Sequence, residues 1–173
     1  MNGTTLKIRG YHCDAYGHVN NARYLELLEE ARWEFLEPAL HEKFFESRNL
    51  LFIVVNINIS YKKSLVPNQD VLIKITNVVY YNKSMVVTQE IRDLASDILC
   101  SSAEVTFVLL NSTTGKPETI SEEIIAKFDT GNSGMPVIHA DKFSVSGRQI
   151  RWSLLGKTIT SNIIRKEEIK VGG

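Results

Sequence analysis

Four successive stretches of alternating apolar and polar residues constrain the fold of this chain more than any other feature. Side chains of a strand point alternately to the two faces of a sheet, so this alternation predicts strands with one buried face. Short turn-forming segments separate the stretches, which together predict one antiparallel sheet. The stretches are residues 51–61, 70–80, 84–92 and 98–110. In the first of them, the residues expected to share the buried face are Ile53, Val55, Ile57 and Ile59.

A long amphipathic helix is predicted before the sheet, over residues 20–36. Leucines and aromatic residues recur there at helical spacing. Asn20 and Asn21 are suitable N-cap residues, because their side chains can accept hydrogen bonds from the first free N–H groups. Pro38 is expected to end the helix nearby, since the residue before a proline avoids helical geometry. A long helix laid on one face of a curved antiparallel sheet is an α+β architecture. Shorter helices are predicted at residues 42–48 and 121–128.

The residues just before the long helix place a carboxylate at its start. Asp14 is followed by a turn that contains Gly17, and the first turn of the helix directs free N–H groups toward that turn. A carboxylate opposite such N–H groups is suited to acyl transfer. Asp14 would act as a nucleophile or as a general base on water, and the sequence leaves both roles open. The alternative interpretation is a loop aspartate that only caps its own turn.

These residues resemble the signature of a known family, the 4-hydroxybenzoyl-CoA thioesterases. The pattern D-x-x-G-H-V-N-N-x-x-Y begins at Asp14; the likeness is tightest over residues 8–36 and continues more loosely to 128. The resemblance implies a hotdog fold, in which a curved antiparallel sheet wraps around one long central helix. It also implies hydrolysis of an acyl-CoA to a carboxylic acid and CoA, without a cofactor. The residues that carry the resemblance are Asp14, Gly17, Asn21, Tyr24, Glu29, Ala31 and Arg32.

The resemblance implies roles for individual residues. Asp14 and Asn21 would be catalytic, with the backbone N–H of Asn21 at the oxyanion. Some relatives carry a histidine at the Asn21 position, and an amide cannot do acid–base work. His18 orients water or the acyl group, or it is a hydrogen-bonded histidine of the turn; both interpretations stay open. Gly17 would supply a backbone shape that a Cβ obstructs. The predicted substrate-binding residues are Gly17, Asn20, Tyr24, Lys83 and Ser84.

The two parts of an acyl-CoA would meet different residues. Cations in loops would meet the phosphates of the nucleotide, although solvated surface lysines explain the same residues equally well. The loop residues in question are Lys62, Lys63, Lys83 and Ser84. An aliphatic or aromatic acyl chain would contact apolar residues such as Tyr24, Leu28, Phe52 and Val54.

Other residues with catalytic potential have simpler interpretations. Cys13 and His12 are adjacent on an extended segment and point to opposite faces, so Cys13 is expected to be a small buried thiol. Glu29 is expected to pair with Arg32, three residues further along the helix. No spacing of histidines, cysteines and carboxylates matches a familiar ligand set, so no metal is predicted.

The composition is typical of an ordinary soluble globular protein, with 43% hydrophobic and 23% charged residues among 173. The 20 basic and 20 acidic residues cancel, which disfavours nucleic acid or an anionic membrane as a partner. The longest apolar run, residues 50–55, is too short to span a bilayer, and the first residues do not resemble a signal peptide. Two cysteines do not form a disulfide framework. A cytoplasmic location is therefore expected.

We expect residues 1–128 to form the hotdog domain. The Gly- and Pro-bearing segment 129–136 predicts that residues 129–173 are an extension packing on the core or on a neighbouring subunit. Exposed sheet edges and the resemblance together predict a homodimer or homotetramer with its site at the subunit interface. A rival function on the same fold is a non-catalytic module that binds acyl-CoA or acyl-carrier protein. A dehydratase or hydratase ranks last, because no additional His/Asp pair has the required spacing.

Overall fold

One antiparallel sheet dominates the structure, a computed structural model that describes residues 3–41, 43–129, 137–139, 148–154 and 157–163. Its principal strands are β1 (Thr4–Lys7), β2 (Leu50–Tyr61), β3 (Asp70–Tyr80), β4 (Ser84–Asp93) and β5 (Leu99–Asn111). They lie side by side in the order β1-β3-β4-β5-β2, with every neighbouring pair antiparallel. The predicted antiparallel sheet is therefore confirmed, and β1 adds a short strand at one of its edges.

Three helices lie beside the sheet within the described ranges. They are α1 (Asn21–His41), α2 (Phe44–Ser47) and α3 (Glu122–Asp129), and a 3-10 turn spans Gly10–His12. The long helix α1 packs against β1 and β3 and against both shorter helices. At the start of α3, the Ser121 hydroxyl accepts a hydrogen bond from the N–H of Ile124 at 3.4 Å. The order of elements confirms the predicted α+β class.

The predicted end of the long helix is wrong. Pro38 was expected to stop α1, yet the helix continues to His41. A proline inside a helix removes one backbone hydrogen bond and crowds the preceding turn. Most of the stability of a helix in a protein comes from packing, not from local propensity. The contacts of α1 with α2 and α3 supply that packing here and outweigh the local preference.

The predicted alternation of β2 is seen in the exposure of residues 53–59, but an irregularity in the strand changes which of them reach the core. The pairing of β2 with β5 shifts register between Val54 and Asn56, which marks a β-bulge. An additional residue in one strand exchanges the two faces from that point onward. Phe52 therefore packs against the same core cluster as Ile57, although their numbers differ in parity. Ile53 and Val55 are half-buried like Ile57 and Ile59, but Ile57 and Ile59 are the two of the four that pack against the core clusters.

The core consists of two hydrophobic clusters. The first, the helix-start cluster, surrounds the first half of α1, and its larger members are Ile8, Val19, Tyr24, Leu27, Leu28, Leu65, Val71, Ile73 and Ile91. The second, the aromatic cluster, lies where α2 and α3 meet the sheet. Its larger members are Phe44, Phe45, Tyr80, Met85, Val87, Phe107, Leu109, Ile124 and Phe128.

The last part of the chain adds further strands. Strand β6 (Lys116–Pro117) pairs with β5, and β7 (Val137–His139) runs parallel to β3 beside residues 78–80. Since β1 pairs with residues 70–73 of β3, two short strands share this edge of the sheet. Strands β8 (Arg148–Leu154) and β9 (Lys157–Ile163) form an antiparallel hairpin. The alternation of Phe143 and Val145 also predicts a strand, with a turn at Ser146 and Gly147, and these residues lie outside the described ranges.

Truncation of Phe128 tests the aromatic cluster. This ring is only 2% exposed and lies 5.2 Å from the Phe52 ring and 5.6 Å from the Phe45 ring, centroid to centroid. We expect Phe128→Ala to lower the free energy of unfolding by about 3–5 kcal/mol, because it leaves a cavity in a packed core. Urea denaturation measures the change. Tyr11→Ala, at a site that is 73% exposed, is the control and should stay within about 0.5 kcal/mol of the wild type.

Candidate active site

A tight turn presents the Asp14 carboxylate. The backbone of Cys13 bridges that of Val19, and the Asp14 N–H donates to the His18 carbonyl at 2.9 Å. Within the turn, the Gly17 N–H donates to the Asp14 carbonyl at 3.0 Å. Gly17 has a φ of +75°, a conformation that glycine adopts without steric penalty. The predicted backbone role of Gly17 thus has a specific physical cause.

The Asp14 side chain also caps this turn. Its Oδ1 atom accepts a hydrogen bond from the Tyr16 N–H at 2.9 Å. The simpler interpretation of Asp14, a carboxylate that caps its own turn, is therefore confirmed by this hydrogen bond, which does not exclude a second role. Among the described residues, Oδ2 has no hydrogen-bond partner, and the residue is exposed. One oxygen is held in a fixed direction, and the other is available to a ligand.

The helix start lies beside this turn. Asn20 is the N-cap, because its Oδ1 accepts a hydrogen bond from the Ala22 N–H at 2.9 Å. Asn21 is the first helical residue, so its N–H has no acceptor within the helix. Of the two asparagines predicted as caps, Asn20 takes that role. Asn21 contributes the free N–H at the positive end of the helix dipole.

Two tyrosines connect the helix start to the end of β2. The Tyr61 hydroxyl donates to the Asn21 carbonyl at 3.2 Å, and the Leu65 N–H donates to the Tyr24 hydroxyl at 3.2 Å. The two rings meet edge to face, with centroids 5.0 Å apart. Burial raises the pKa of Tyr24, so its hydroxyl stays neutral at physiological pH. The pair fixes the first turn of α1 on the sheet.

These elements enclose an open cleft of about 280 Å³. The structure brings together four of the predicted site residues, namely Asp14, His18, Asn21 and Tyr24. Gly17 and Asn20 do not line the cleft but determine the backbone beside it, Gly17 in the Asp14 turn and Asn20 at the start of α1. Sequence reasoning missed Tyr16, Tyr61 and Ser64 as lining residues. The sequence does show a change from an apolar strand to polar residues at 60–64, which could have marked this segment as part of a site. No short-range pattern, however, indicates that this segment lies beside the Asp14 loop, more than forty residues earlier in the chain.

Two predicted substrate-binding residues lie elsewhere in the chain. Lys83 and Ser84 stand at the turn between β3 and β4, and the Lys83 Nζ donates to the Pro117 carbonyl at 3.0 Å. Ser84 pairs with residue 108 of β5, whereas Tyr61 of the cleft pairs with residue 101. Seven residues of strand separate the two places by roughly 23 Å. A single chain therefore does not bring Lys83 and Ser84 to the cleft, and their role in binding stays a prediction.

The other candidate residues have structural partners. The His12 Nδ1 accepts a hydrogen bond from the Arg9 N–H at 3.0 Å, and the Cys13 thiol contacts the Arg9 carbonyl. Cys13 is half-buried, less than predicted. The expected Glu29–Arg32 ion pair is replaced by a hydrogen bond from Arg32 to Gln89 at 3.0 Å. Glu29 is exposed, and its charge still raises the pKa of Arg32 against the larger effect of burial.

Comparison with known proteins identifies the family. Residues 8–128 match the model of the thioesterase-like superfamily, so the chain belongs to that superfamily. The chain is 39% identical over 128 residues to the long-chain acyl-CoA thioesterase FadM of Escherichia coli, covering 73% of this chain and 96% of the relative. It is 28% identical over 131 residues to the acyl-CoA thioesterase YbgC of Haemophilus influenzae, covering 73% and 95%.

A solved structure supports the same assignment. The probable thioesterase YbaW of Escherichia coli superposes with a TM-score of 0.68 at 38% identity, covering 73% of this chain and 95% of that one. The predicted family, the hotdog fold and the enzyme class, an acyl-CoA thioesterase, are therefore confirmed. Residues 129–173 lie outside the family match.

A hydrogen-bonded brace supports the wall of the cleft formed by residues 61–64. Gln69 accepts a hydrogen bond from the Val66 N–H at 3.1 Å and donates to Asp93 Oδ2. The Ser96 hydroxyl and N–H both donate to Asp93 Oδ1, at 2.6 and 2.7 Å. These bonds, with that of the Ser96 hydroxyl foremost, lower the pKa of Asp93 from 3.8 to about 2. The carboxylate is thus held in its charged form.

The brace predicts a specific dependence of stability on pH. Because folding lowers the pKa of Asp93, its contribution is complete above pH 3.8 and disappears as the pH falls through about 2. Asp93→Asn should therefore be less stable than wild type at neutral pH, and the difference should shrink between these two values. Urea denaturation at several pH values measures it. Asp97→Asn, at an exposed carboxylate four residues away, is the control; an equal pH effect in both variants would contradict the brace.

Proposed function

We propose that this thioesterase hydrolyses long-chain acyl-CoA esters and that Asp14 is its essential carboxylate. The observation that carries the proposal is the cleft, which combines the exposed Asp14 carboxylate with the first residue of α1, Asn21. Water that Asp14 deprotonates attacks the thioester carbonyl, or Asp14 attacks it and water then hydrolyses the acyl anhydride. The free N–H of Asn21 would stabilise the oxyanion formed by the attack. The C–S bond breaks, CoA leaves as the thiolate and takes a proton that comes from the water, and the acyl group leaves as a carboxylate.

The proposed substrate class has two sources of support. The relative FadM is named as a long-chain acyl-CoA thioesterase, and Val19 and Tyr24 of the helix-start cluster line the cleft. Lys62 and Lys63 line the cleft and have no ion-pair partner in the part of the chain that the structure describes. Cations at this position suit the phosphates of CoA. His18 lines the same cleft and would orient water or the acyl group.

The sharpest test replaces the charge of Asp14 and keeps its shape. In Asp14→Asn, the side-chain oxygen can still accept the hydrogen bond from Tyr16, so the turn should persist. The turnover number should fall at least ~10²-fold, the lower range for loss of a general base, while affinity for acyl-CoA stays nearly unchanged. Steady-state hydrolysis and binding of a non-hydrolysable acyl-CoA thioether measure the two effects.

A matched control separates this proposal from its rivals. Glu29→Gln removes an exposed carboxylate from α1, and we expect wild-type turnover. Loss of turnover in Glu29→Gln but not in Asp14→Asn would transfer the chemistry to Glu29. Tight binding with no hydrolysis of any thioester by the wild type would identify a binding module. Rapid-quench mass spectrometry during a single turnover separates the two roles of Asp14, since only a nucleophilic carboxylate adds the mass of the acyl group to the protein.

We also propose that the chain functions as a homo-oligomer, at least a dimer. Strand β2 pairs with β5 alone among the described strands, and its twelve residues include no charge and no proline. Natural proteins protect long exposed edges with such residues or cover them. Antiparallel pairing of β2 with its copy would cover this edge, and the second chain would complete the open side of the cleft.

A lysine on β2 tests this assembly. Val54 is 39% exposed and lies in the middle of β2, so Val54→Lys should shift the protein from dimer to monomer by placing a charge in the interface. Multi-angle light scattering measures the mass. Val66→Lys makes the same change at 43% exposure in a loop outside the sheet and should remain dimeric. A stable, active wild-type monomer at micromolar concentration would refute the proposal.

The proposed compartment is the cytoplasm. Both cysteines of the chain are free thiols, and Cys100 is buried. Unpaired cysteines are typical of a reducing compartment. None of the helices in the described ranges is long and apolar enough to cross a bilayer.

A further inference from the structure

One side of strand β2 carries a continuous row of apolar residues. In an antiparallel pair, residues directly opposite each other lie on the same side of the sheet. The β5 residues opposite this row are 101, 103, 105, 107 and 109, and they are at most 4% exposed. This side of β2 therefore faces the core. The residues on it, which we call the β2 row, are Phe52, Val54, Ile57, Ile59 and Tyr61.

The β2 row stays accessible although it faces the core. Val54 is 39% and Tyr61 is 45% exposed, and the other three residues are half-buried. The path of α1 explains this exposure. Its first turn lies at the end of β2, where the Tyr61 hydroxyl donates to the Asn21 carbonyl. Further along, Glu34 accepts a hydrogen bond from the Thr4 hydroxyl of β1. Because β1 and β2 stand at opposite ends of the strand order, the helix moves away from β2 and leaves the row open.

The β2 row begins at the cleft. Tyr61 belongs to the row and also lines the cleft together with Asp14. The cleft encloses about 280 Å³, at the lower end of the range for small-molecule sites, so a bound acyl-CoA extends beyond it. Of the residues predicted to contact an acyl chain, Leu28 is 0% exposed and closed to a ligand, whereas Phe52 and Val54 belong to the β2 row. The row therefore continues the cleft along an apolar, accessible surface.

The length of the row matches a long acyl chain. Tyr61 and Val54 are opposite residues 101 and 107 of β5, and six residues of strand span roughly 20 Å. An extended alkyl chain advances about 1.25 Å per carbon, because its C–C bonds of about 1.5 Å zigzag, so a hexadecanoyl chain is also about 20 Å long. An octanoyl chain is about half as long. It passes Ile59, roughly 7 Å from Tyr61 along the strand, and ends before Ile57, at roughly 13 Å.

We propose that the β2 row binds the acyl chain of the substrate, with the thioester at the cleft and the methyl end of a hexadecanoyl chain near Val54. The inference rests on the proposed function, because it takes the cleft at Asp14 as the place where the thioester is held. Methylenes that cover the row leave water together with its apolar side chains, which favours binding in proportion to the area covered. The proposed pairing of β2 with a second copy is compatible with this role. Such pairing uses backbone N–H and C=O groups at the edge and leaves the side chains on the two faces.

A neutral polar substitution in the middle of the row tests the proposal. In Ile57→Gln, the methylenes of a hexadecanoyl chain meet an amide that loses water without gaining a hydrogen bond. We expect kcat/KM for hexadecanoyl-CoA to fall about tenfold, the order by which one methylene in an apolar pocket changes rates. The value for octanoyl-CoA should stay that of the wild type, because this chain ends before residue 57. Steady-state kinetics with the two substrates measure both values.

Two further variants test the direction and the side of the row. Ile59→Gln lies closer to the cleft and should slow the hydrolysis of both substrates. Ile53→Gln makes the same change at a half-buried isoleucine on the other side of β2, opposite Val108, and should keep the wild-type ratio of hexadecanoyl to octanoyl hydrolysis. Light scattering checks that the variants compared have the mass of the wild type. A wild-type ratio in folded Ile57→Gln, or an equal fall of the ratio in Ile53→Gln, would overturn the proposal.

A measurement on the wild-type protein needs no substitution. A non-hydrolysable hexadecyl-CoA thioether with a diazirine at the chain end labels, on illumination, the residues beside the methyl end, and peptide mass spectrometry locates the label. Labelling within residues 50–57 is the expected result, and labelling elsewhere in the chain would overturn the role of the β2 row alone. Labelling of β2 in a wild type that hydrolyses no acyl-CoA would overturn the proposed hydrolysis and leave the row as the binding surface of a non-catalytic module.

Discussion

The attachment of the α1 start to the segment after β2 determines how the rest of the site is arranged. The Val19 N–H donates to the Leu65 carbonyl at 2.9 Å, and the Tyr24 and Tyr61 hydroxyls add two bonds across the same junction. These bonds fix the direction of the helix N-terminus and therefore of the free Asn21 N–H. The loop that carries Asp14 is joined to the same junction through Val19. A shift of the β2 end would move the carboxylate and the N–H groups together.

The local features of the site are those that sequence could predict. The spacing of Asp14, Gly17, Asn20 and the apolar helix positions lies within twenty residues, and each preference is a short-range property of turns and caps. The contribution of Tyr61 is different, because it depends on a contact across forty residues. The bulge in β2 and the helix beyond Pro38 result from tertiary packing, which overrides local propensity. The distance of Lys83 from the cleft within one chain has a similar cause, because antiparallel neighbours put consecutive turns at opposite ends of a sheet.

The two interpretations of Asp14 turn out to be compatible. The hydrogen bond from the Tyr16 N–H occupies one carboxylate oxygen and restricts rotation of the side chain. A reactive group held in one orientation loses less entropy when the substrate binds. In the proposed mechanism, the bond that makes Asp14 a turn cap would therefore also orient the carboxylate for attack or for activation of water. Asn20 likewise has a structural role beside the site, because its side chain caps α1 through the Ala22 N–H and leaves the neighbouring Asn21 N–H free.

The two edges of the sheet have different consequences for assembly. The β3 edge is divided between β1, which runs antiparallel to it, and β7, which runs parallel. Two short strands of opposite direction give a second chain no continuous ladder to extend. The other edge, β2, is twelve residues long and pairs with β5 alone among the described strands, so it is available to pair with its own copy. In the proposed dimer, pairing through this one edge would close after a single two-fold step instead of propagating into a filament.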